Sequence, residues 1–435
     1  MRSAFLLILI AVNSYAPGVQ AQQIFNSLID VWKYTLQNNP ENKRYQLQVN
    51  VAEQDKKAAS GFRYPKVSAS FSGQRNVDIS ETPVPGELAG KPGETVYLKF
   101  GQNYSYNAGL TITKSILDWQ SIHQQKIAKV NVALKTAEKQ YFEQVLKEQV
   151  AQIYYATLTA NEAVAIGRKD LVAADSIFYI ASDKFNQGLI DALTLNQAKI
   201  KQHTVYEKLE QSKLYQAQCI YNLKLLMGLE PGDSVWLTEK VDFSGEQQEE
   251  LKLIASNLYT DVFRLQVEIS GYDVKKARAR FLPKIDYMHF IGGTQFRNNL
   301  ALSFNSSDWN SSNYIGLSLS VPIFSGLTTK SQYKAARISQ QIAKATFEDE
   351  VRKLAINDSI LFNGYLTAIN LAKSSSESFK ISGNNLELIA QKYSKGLVGL
   401  SEYLEIFGDY LAAESQYLSR ISDYLVNRAT LEARK

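Results

Sequence analysis

Two glutamates stand three residues apart, directly after a break in a long helical pattern. Residues 392 to 406 read KYSKGLVGLSEYLEI, in which Gly396 and Gly399 interrupt the pattern. Glu402 and Glu405 follow the break, and their spacing places both carboxylates on one face of a helix. Such a pair at a narrow opening favours cations by its field, whereas elsewhere it is an ordinary solvated helix face. The elements that position the pair decide between these interpretations.

The break belongs to a repeat that runs through the whole chain. Residues 184 to 198, KFNQGLIDALTLNQA, carry the same arrangement as residues 392 to 406. Residues 44 to 66 align without a gap on residues 262 to 284. Each half is predicted to contain a helix, two strands and two long helices, and gene duplication explains this because the period is too long for a solenoid unit. The two repeats are predicted over 22–246 and 247–435.

Composition and the first residues indicate export and exclude several classes of protein. Residues 1–21 are typical of a secretory signal peptide, with a short apolar run after Arg2 and small residues before a predicted cleavage after Ala21. The formal charge of +5 is spread over 435 residues, which argues against nucleic-acid binding. With three histidines and one cysteine, a metal site is not expected. No motif indicates an enzyme, so we expect no catalytic residue and no cofactor.

Four segments alternate between apolar and small polar residues, with the period of two that strands have. They are predicted at about 65–77, 101–117, 283–297 and 312–324. Such segments are typical of a transmembrane β-barrel with a wet interior, but they also fit a soluble sandwich. Long polar loops at 83–94 and 305–313 favour the barrel. Because small membrane barrels need at least about eight strands, several chains must share one barrel.

Two hairpins of very long helices are predicted after the strands, at about 119–228 and 327–434. From about Gln120 to Phe185 no proline interrupts the pattern, which at about 1.5 Å per residue gives roughly 100 Å of helix. Helices of that length must pack along equally long partners, as in a coiled coil. Shorter helices are predicted before the strands, at about 27–62 and 247–281, and residues 229–246 are predicted to link the halves.

Several of these features occur together in one known family. The motifs are Asn38-Asn39-Pro40, LDWQ at 117–120, VPIFSG at 321–326 and the paired glycine turns, and they span essentially the whole mature chain. In this respect the sequence resembles the TolC-like outer-membrane efflux and secretion channels, or outer membrane factors. The resemblance implies a mainly α fold with transmembrane β: a trimeric twelve-stranded outer-membrane β-barrel continuous with a long periplasmic α-helical barrel. Each protomer would contribute four strands and two long helical hairpins, related by internal duplication.

The resemblance also implies partners and a location. The protein would be a homotrimer in the outer-membrane lipid of a Gram-negative bacterium, extending into the periplasm, with a periplasmic adaptor protein and an inner-membrane transporter that supplies the energy. It would be the passive exit duct of a tripartite efflux pump for drugs or other small molecules. The exit duct of a type I protein or peptide secretion system is an alternative, since nothing in the chain selects the cargo. A periplasmic structural coiled-coil protein without a barrel is a third alternative.

The family's motifs also imply roles for single residues. Its glycine-leucine turns, the expected contact of the adaptor, fall on Gly188, Leu189 and Ile190 and on Gly396, Leu397 and Val398. Its periplasmic gate and selectivity ring falls on Glu402, Glu405 and Tyr393. Its strand–helix junctions fall on Pro65, Trp119, Pro283 and Pro322.

The sequence departs from some family members around the gate. Val398 stands where an arginine is found in those members, and Thr194 stands in place of an aspartate. Asp191 is nearby but out of register. These differences argue against a salt-bridge gate of that kind, and closure is expected to depend on Tyr393, hydrogen bonds and helix packing.

Overall fold

The computed structural model describes residues 22–239 and 257–434. The helices are α1 (Leu28–Asn38), α2 (Pro40–Ala59), α3 (Trp119–Asn186), α4 (Ala192–Met227), α5 (Leu258–Ala279), α6 (Thr328–Ser394) and α7 (Leu400–Glu432). The strands are β1 (Gln22–Phe25), β2 (Lys66–Arg75), β3 (Glu81–Pro85), β4 (Thr95–Lys99), β5 (Tyr104–Leu117), β6 (Ser234–Leu237), β7 (Lys284–Arg297) and β8 (Asn310–Ser320). The predicted signal peptide, part of the predicted link and the start of the helix expected at 247–281 lie outside the described residues.

The chain forms two compact units, and each takes residues from both repeats. The first unit draws its described residues from Met1–Leu47, Glu138–Tyr259 and Val351–Lys435. The second draws them from Gln48–Ala137 and Thr260–Glu350. The first unit holds most of the helical hairpins, whereas the second holds the main sheet.

The main sheet of the second unit joins the two repeats edge to edge. Its four strands are antiparallel neighbours in the order β2-β5-β7-β8, so β5 of the first repeat pairs with β7 of the second. The register places Val67 opposite Ile112 and Ser68 opposite Thr111. Because side chains alternate between faces, this register of β2 and β5 collects their apolar residues on one face and their hydroxyl residues on the other. The predicted alternation is therefore realised in the pairing.

The apolar face of this sheet is uncovered in the protomer. Val67 is 64% exposed, Phe71 60% and Ile315 67%, although each belongs to a side-chain type that is usually buried. The two edge strands, β2 and β8, each have one neighbour among the described strands. A single chain therefore leaves both an apolar face and two sheet edges without partners within the described ranges.

The strands differ from the predicted segments mainly at their ends. The last one, expected at 312–324, ends at Ser320, because Lys284, the first residue of β7, pairs with Ser320 and Pro322 has no N–H to donate. The polar loop expected at 83–94 contains structure of its own. Within it and its flanks, β3 and β4 form a two-stranded antiparallel sheet.

The N-terminal segment contains a strand pair that the sequence did not indicate. β1 pairs in parallel with β6, which lies inside the predicted link 229–246. The single helix expected at 27–62 is divided into α1 and α2, because Pro40 cannot continue the hydrogen-bond ladder of α1. Asn39 fixes the division, since its side-chain amide donates to the Leu226 carbonyl at 2.7 Å.

The two long hairpins match in length. In the first, α3 has 68 residues and α4 has 36. In the second, α6 has 67 residues and α7 has 33. The predicted mainly helical fold, with four main-sheet strands and two long hairpins per protomer, is confirmed. No helix in the described part of the chain is both long and apolar enough to cross a membrane.

Candidate gate at the hairpin turns

The two hairpin turns have the same backbone structure. Gly188 and Gly396 adopt positive φ angles of 73° and 72°, which other residues rarely tolerate. At the first turn the Gly188 and Leu189 N–H groups donate to the carbonyls of Phe185 and Lys184, at 2.9 Å in both cases. The second turn repeats this pair of hydrogen bonds, each with a donor–acceptor distance of 3.0 Å. These paired bonds are a Schellman motif, which ends a helix on a left-handed glycine.

The residues that begin the next helix differ between the turns. Asp191 caps α4, because its carboxylate accepts a 2.8 Å hydrogen bond from the Thr194 N–H. Hydrogen bonding to Thr194 lowers the pKa of Asp191 below its ordinary value. Gly399 caps α7 with an ordinary φ of −79° and no side-chain hydrogen bond. Of the two glycines that interrupt the second pattern, only Gly396 therefore needs the conformational freedom of glycine.

An apolar cluster below the turns, here called the tip core, holds the two hairpins together. Phe407 of α7 is 1% exposed and lies at its centre. The other buried members come from α3, α4 and α7: Ala174, Ile177, Ala181, Ala198, Val205, Leu400, Leu404 and Leu411. Ile190 of the first turn packs against this cluster, whereas Leu189 and Leu397 point outward and are 66% and 70% exposed. The turns thus present one leucine each to the outside.

Glu402 and Glu405 both lie on the exposed side of α7, away from the tip core. Leu404 and Phe407, between and beyond them, point into the tip core. Neither glutamate forms a salt bridge with a described residue. The pair is therefore available to a solute or to another chain, as a selectivity ring requires.

Tyr393 connects the second hairpin to the first. Its ring stacks on Tyr403 of α7, with centroids 5.4 Å apart and planes 12° from parallel. The ammonium group of Lys184, the residue that starts the first turn motif, lies 4.3 Å from the centre of the Tyr393 ring. This is a cation–π geometry. The tyrosine hydroxyl is buried and has no hydrogen-bond partner among the described residues.

The strand–helix junctions lie in the second unit. Pro65 and Pro283 stand immediately before β2 and β7, Trp119 is the first residue of α3, and Pro322 follows the end of β8. A cleft of about 550 Å³ lies beside them on the polar side of the sheet. Its charged lining includes Asp286, which pairs with Lys284 at 3.1 Å. The junction residues are thus brought to one end of the sheet but hold no cluster of metal ligands in the described part of the chain.

Sequence reasoning missed two buried carboxyl groups, and a partly exposed lysine beside one of them, beneath the candidate gate. Asp170 of α3 and Glu414 of α7 are 5% and 1% exposed, and Lys208 of α4 lies 3.3 Å from Glu414. A signal was present in the sequence. Glu414 falls in the apolar series Leu404, Phe407, Leu411, Leu418 and Ile421 at a spacing of three and four, where a charge is unexpected.

Comparisons with known proteins agree on one family. The family model described as "Outer membrane efflux protein" matches residues 32–229 and 254–434. Outer membrane protein TolC of Escherichia coli (strain K12) is 20% identical over 342 residues, which cover 75% of this chain and 68% of that protein. Alkaline protease secretion protein AprF of Pseudomonas aeruginosa is 21% identical over 363 residues, which cover 80% of this chain and 70% of AprF.

A solved structure with the same fold is that of the Campylobacter jejuni CmeC outer membrane channel. It matches with a TM-score of 0.74 at 16% identity, covering 94% of this chain and 85% of the CmeC chain. At this identity the likeness establishes the fold and leaves cargo and partners open.

Proposed function

Because the chain belongs to the outer membrane efflux protein family, we propose that it is the passive exit duct of a tripartite pump that exports drugs or other small molecules. Membership in this family makes the chain a transport protein of the Gram-negative outer membrane and not an enzyme. It also removes the alternative of a periplasmic structural protein without a membrane part. Trimer formation, the pump partners and the cargo belong to the proposal.

The observation that carries the proposal is the incomplete sheet of the protomer. Unpaired backbone groups at the edges of β2 and β8 would be costly in lipid, where no water satisfies them. Pairing β8 of one protomer with β2 of the next removes both edges. Three protomers would then form one closed barrel, with the apolar face toward lipid and the hydroxyl face toward water.

The second hairpin supports the same assembly. α6 exposes apolar side chains along its length, among them Ile342 at 62%, Ile356 at 54% and Ile360 at 65%. A long helix with so little of its apolar surface covered needs further partners. Neighbouring protomers would cover this surface and complete a helical tunnel.

In this channel, Glu402 and Glu405 form the ring at the periplasmic opening and Tyr393 helps to hold it closed. The exposed Leu189 and Leu397 at the turns, with Gly188, Ile190, Gly396 and Val398, form the surface for a periplasmic adaptor. The adaptor connects the duct to an inner-membrane transporter, which supplies the energy. Because both glutamates are exposed and without salt bridges among the described residues, their charge is available to passing ions.

The ring is tested by replacing Glu402 and Glu405 with glutamine and measuring ion selectivity in planar bilayers. We expect cation preference to fall severalfold, and the difference from the parent to shrink at high salt because exposed charges are screened. The control, matched in exposure and spacing, replaces Glu207 and Glu210 of α4 by glutamine, although Glu210 also pairs with Lys213 at 2.7 Å. Equal effects of the two double variants, or no effect of the first, would remove the ring assignment.

A second candidate is the exit duct of a protein or peptide secretion system. AprF, named for alkaline protease secretion, is as similar to this chain as TolC is. Deleting the gene and comparing toxic-compound sensitivity with the secreted proteins separates the candidates, with the restored gene as control. Greater sensitivity with unchanged secretion supports the pump, and the reverse supports secretion. A deletion strain unchanged in both respects contradicts both candidates.

A further inference from the structure

Two carboxyl groups are buried where the hairpins pack, and the proposed gate does not use them. Asp170 of α3 is 5% exposed and Glu414 of α7 is 1% exposed. Both lie on the buried faces of their helices. Asp170 is one helical turn before the buried Ala174, and Glu414 is about one turn after the buried Leu411. Burying an ionised carboxylate is expensive unless it is paired and hydrogen-bonded.

Lys208 of α4 lies next to this pair of carboxyl groups. The ammonium group of Lys208 lies 3.3 Å from Glu414 Oε1 and donates to the Leu411 carbonyl at 3.4 Å. Asp170 Oδ2 and Glu414 Oε2 are buried without a hydrogen-bond partner among the described residues. The ion pair of Lys208 thus reaches one oxygen of Glu414, and each of the two carboxyl groups keeps one buried oxygen without a described partner.

Every packed element contributes to the surroundings of this pair. α3 adds Lys169 and α4 adds Lys208, both of which favour the charged form of Asp170. α7 adds Tyr410, whose pKa is raised to about 12 by burial and by the negative charge of Asp170 and Glu414. α6 contributes Phe379, whose ring packs against Tyr410 with centroids 5.5 Å apart.

We propose that Asp170 and Glu414 bind one shared proton and thereby tie the first hairpin to the second. Two ionised carboxylates repel one another because they carry the same charge, and neither can donate a hydrogen bond to the other. With one proton between them, one carboxyl donates to the other and Lys208 balances the single remaining charge. The proton thus satisfies both unpaired oxygens and joins α3 to α7.

The pH range of the site follows from the direction of the shift. Burial raises the pKa of Asp170 from 3.8 to about 8, and the hydrogen bond that its protonated form would donate to Glu414 and the charge of Glu414 add to this increase. Between these values the folded protein holds a proton that the unfolded chain releases, so folding stability decreases as pH rises. The stabilisation is complete below the unfolded pKa of 3.8 and is lost as pH passes about 8.

In the proposed channel the two hairpins form the wall below the gate, so loss of this proton would loosen the closed state. This step depends on the proposed function, whereas the proton site itself does not. Failure of the channel proposal would leave the site intact, and failure of the site would leave the channel without a pH-dependent tie.

The test uses the full chain purified in detergent, the Asp170→Asn variant and, as a second variant, Glu414→Gln. Infrared spectroscopy detects the carbonyl band of a protonated carboxyl, and thermal melting is followed from about pH 6 to about pH 9. The control is Asp175→Asn on the same helix, where the carboxylate instead accepts a 2.7 Å hydrogen bond from Gln202.

We expect the parent to show the band at neutral pH and to lose stability as pH rises, by at most about tenfold in the folding equilibrium constant per pH unit. Asp170→Asn should lose the band and most of the pH dependence, while the control keeps both. If Asp170→Asn does not fold, Glu414→Gln must show the same losses. The proposal is overturned by a parent without the band, by variants that keep the parent's pH dependence, or by a stability that depends on added sodium ions instead of pH.

Discussion

The two helical hairpins have the same backbone plan but differ in how much of each is covered by its own chain. Within the first unit, α3 buries a continuous series of side chains that includes Leu146, Tyr154 and Ile177. α6 is nearly as long as α3, yet its buried residues are Asp358, Tyr365, Ala368, Ala372, Ser375 and Ile389. Duplication thus preserved length and turn geometry, while burial came to depend on which partners each copy has. In the proposed trimer, the second hairpin is therefore the one whose exposed apolar side chains neighbouring protomers would cover.

The two hairpin turns also differ, in how the helix after each turn begins and in the charge that it carries. The first has Asp191 as its cap, followed by Thr194, and it shows no acidic pair. In the second, the N-cap residue Gly399 supplies no side-chain hydrogen bond, and α7 carries Glu402 and Glu405 on its exposed side. Local helix stability was favoured in the first copy, whereas exposed charge was placed in the second. The comparison leads us to expect unequal effects from equivalent substitutions.

The largest effect is expected from a charge placed on the uncovered face of α6. Ile360→Lys would bury an unpaired ammonium group in the interface of the proposed trimer, which costs several kcal/mol per chain. The association constant should therefore fall by at least about a hundredfold. Light scattering of the detergent-solubilised protein measures the oligomeric state.

The matched control is Ser359→Lys, which places the same charge at the adjacent exposed position of α6. A trimer that survives Ile360→Lys unchanged would mean that this face of α6 is not the interface. The exposed apolar surface of α6 would then need another explanation.

A smaller effect is expected from valine at the second turn, and it should depend on which glycine is replaced. Neither Gly396 nor Gly399 has a heavy atom within 4 Å of the Cβ position, so only backbone conformation distinguishes them. Gly396→Val should lower the free energy of unfolding by about 1–3 kcal/mol, because valine is strained at positive φ. Gly399→Val should change it little, since φ there is −79°.

Denaturant unfolding measures both glycine variants, and drug resistance of cells that carry them measures adaptor docking. Equal destabilisation would show that the turn does not keep its left-handed glycine in solution. Full resistance with Gly396→Val would argue against a role of this turn in docking the adaptor.

The smallest effect is expected at the contact between Lys184 and Tyr393. Lys184→Gln should lower the free energy of unfolding by about 0.5–1 kcal/mol, the usual size of a cation–π contact, and Lys184→Arg should restore most of it. Tyr393→Phe should be neutral or slightly stabilising, because the buried hydroxyl has no described partner to lose. Single-channel recording of Tyr393→Phe checks the gate. Frequent opening of that variant would mean that the hydroxyl bonds to another protomer.

Most of the fold was accessible from the sequence because its signals are local and periodic. Alternation located β2, β5, β7 and β8, and the absence of proline together with glycine breaks located both hairpins. The pairing of β1 with β6 was missed, because four residues provide too little periodicity and their partners are far apart in the chain. The β3–β4 pair was missed because its glycines and prolines are also typical of an irregular loop.

At the candidate gate, the sequence alone determined the types and spacing of the groups. Gly188 and Gly396 indicate the turns, because glycine readily ends a helix in the left-handed conformation. The three-residue spacing of Glu402 and Glu405 places them on a common helix face. The tertiary structure decided which distant groups meet: Lys184 with Tyr393, and Asp170 with Glu414. Helix periodicity fixes which way a side chain points, but packing between helices fixes what it contacts, and burial then sets the cost of its charge.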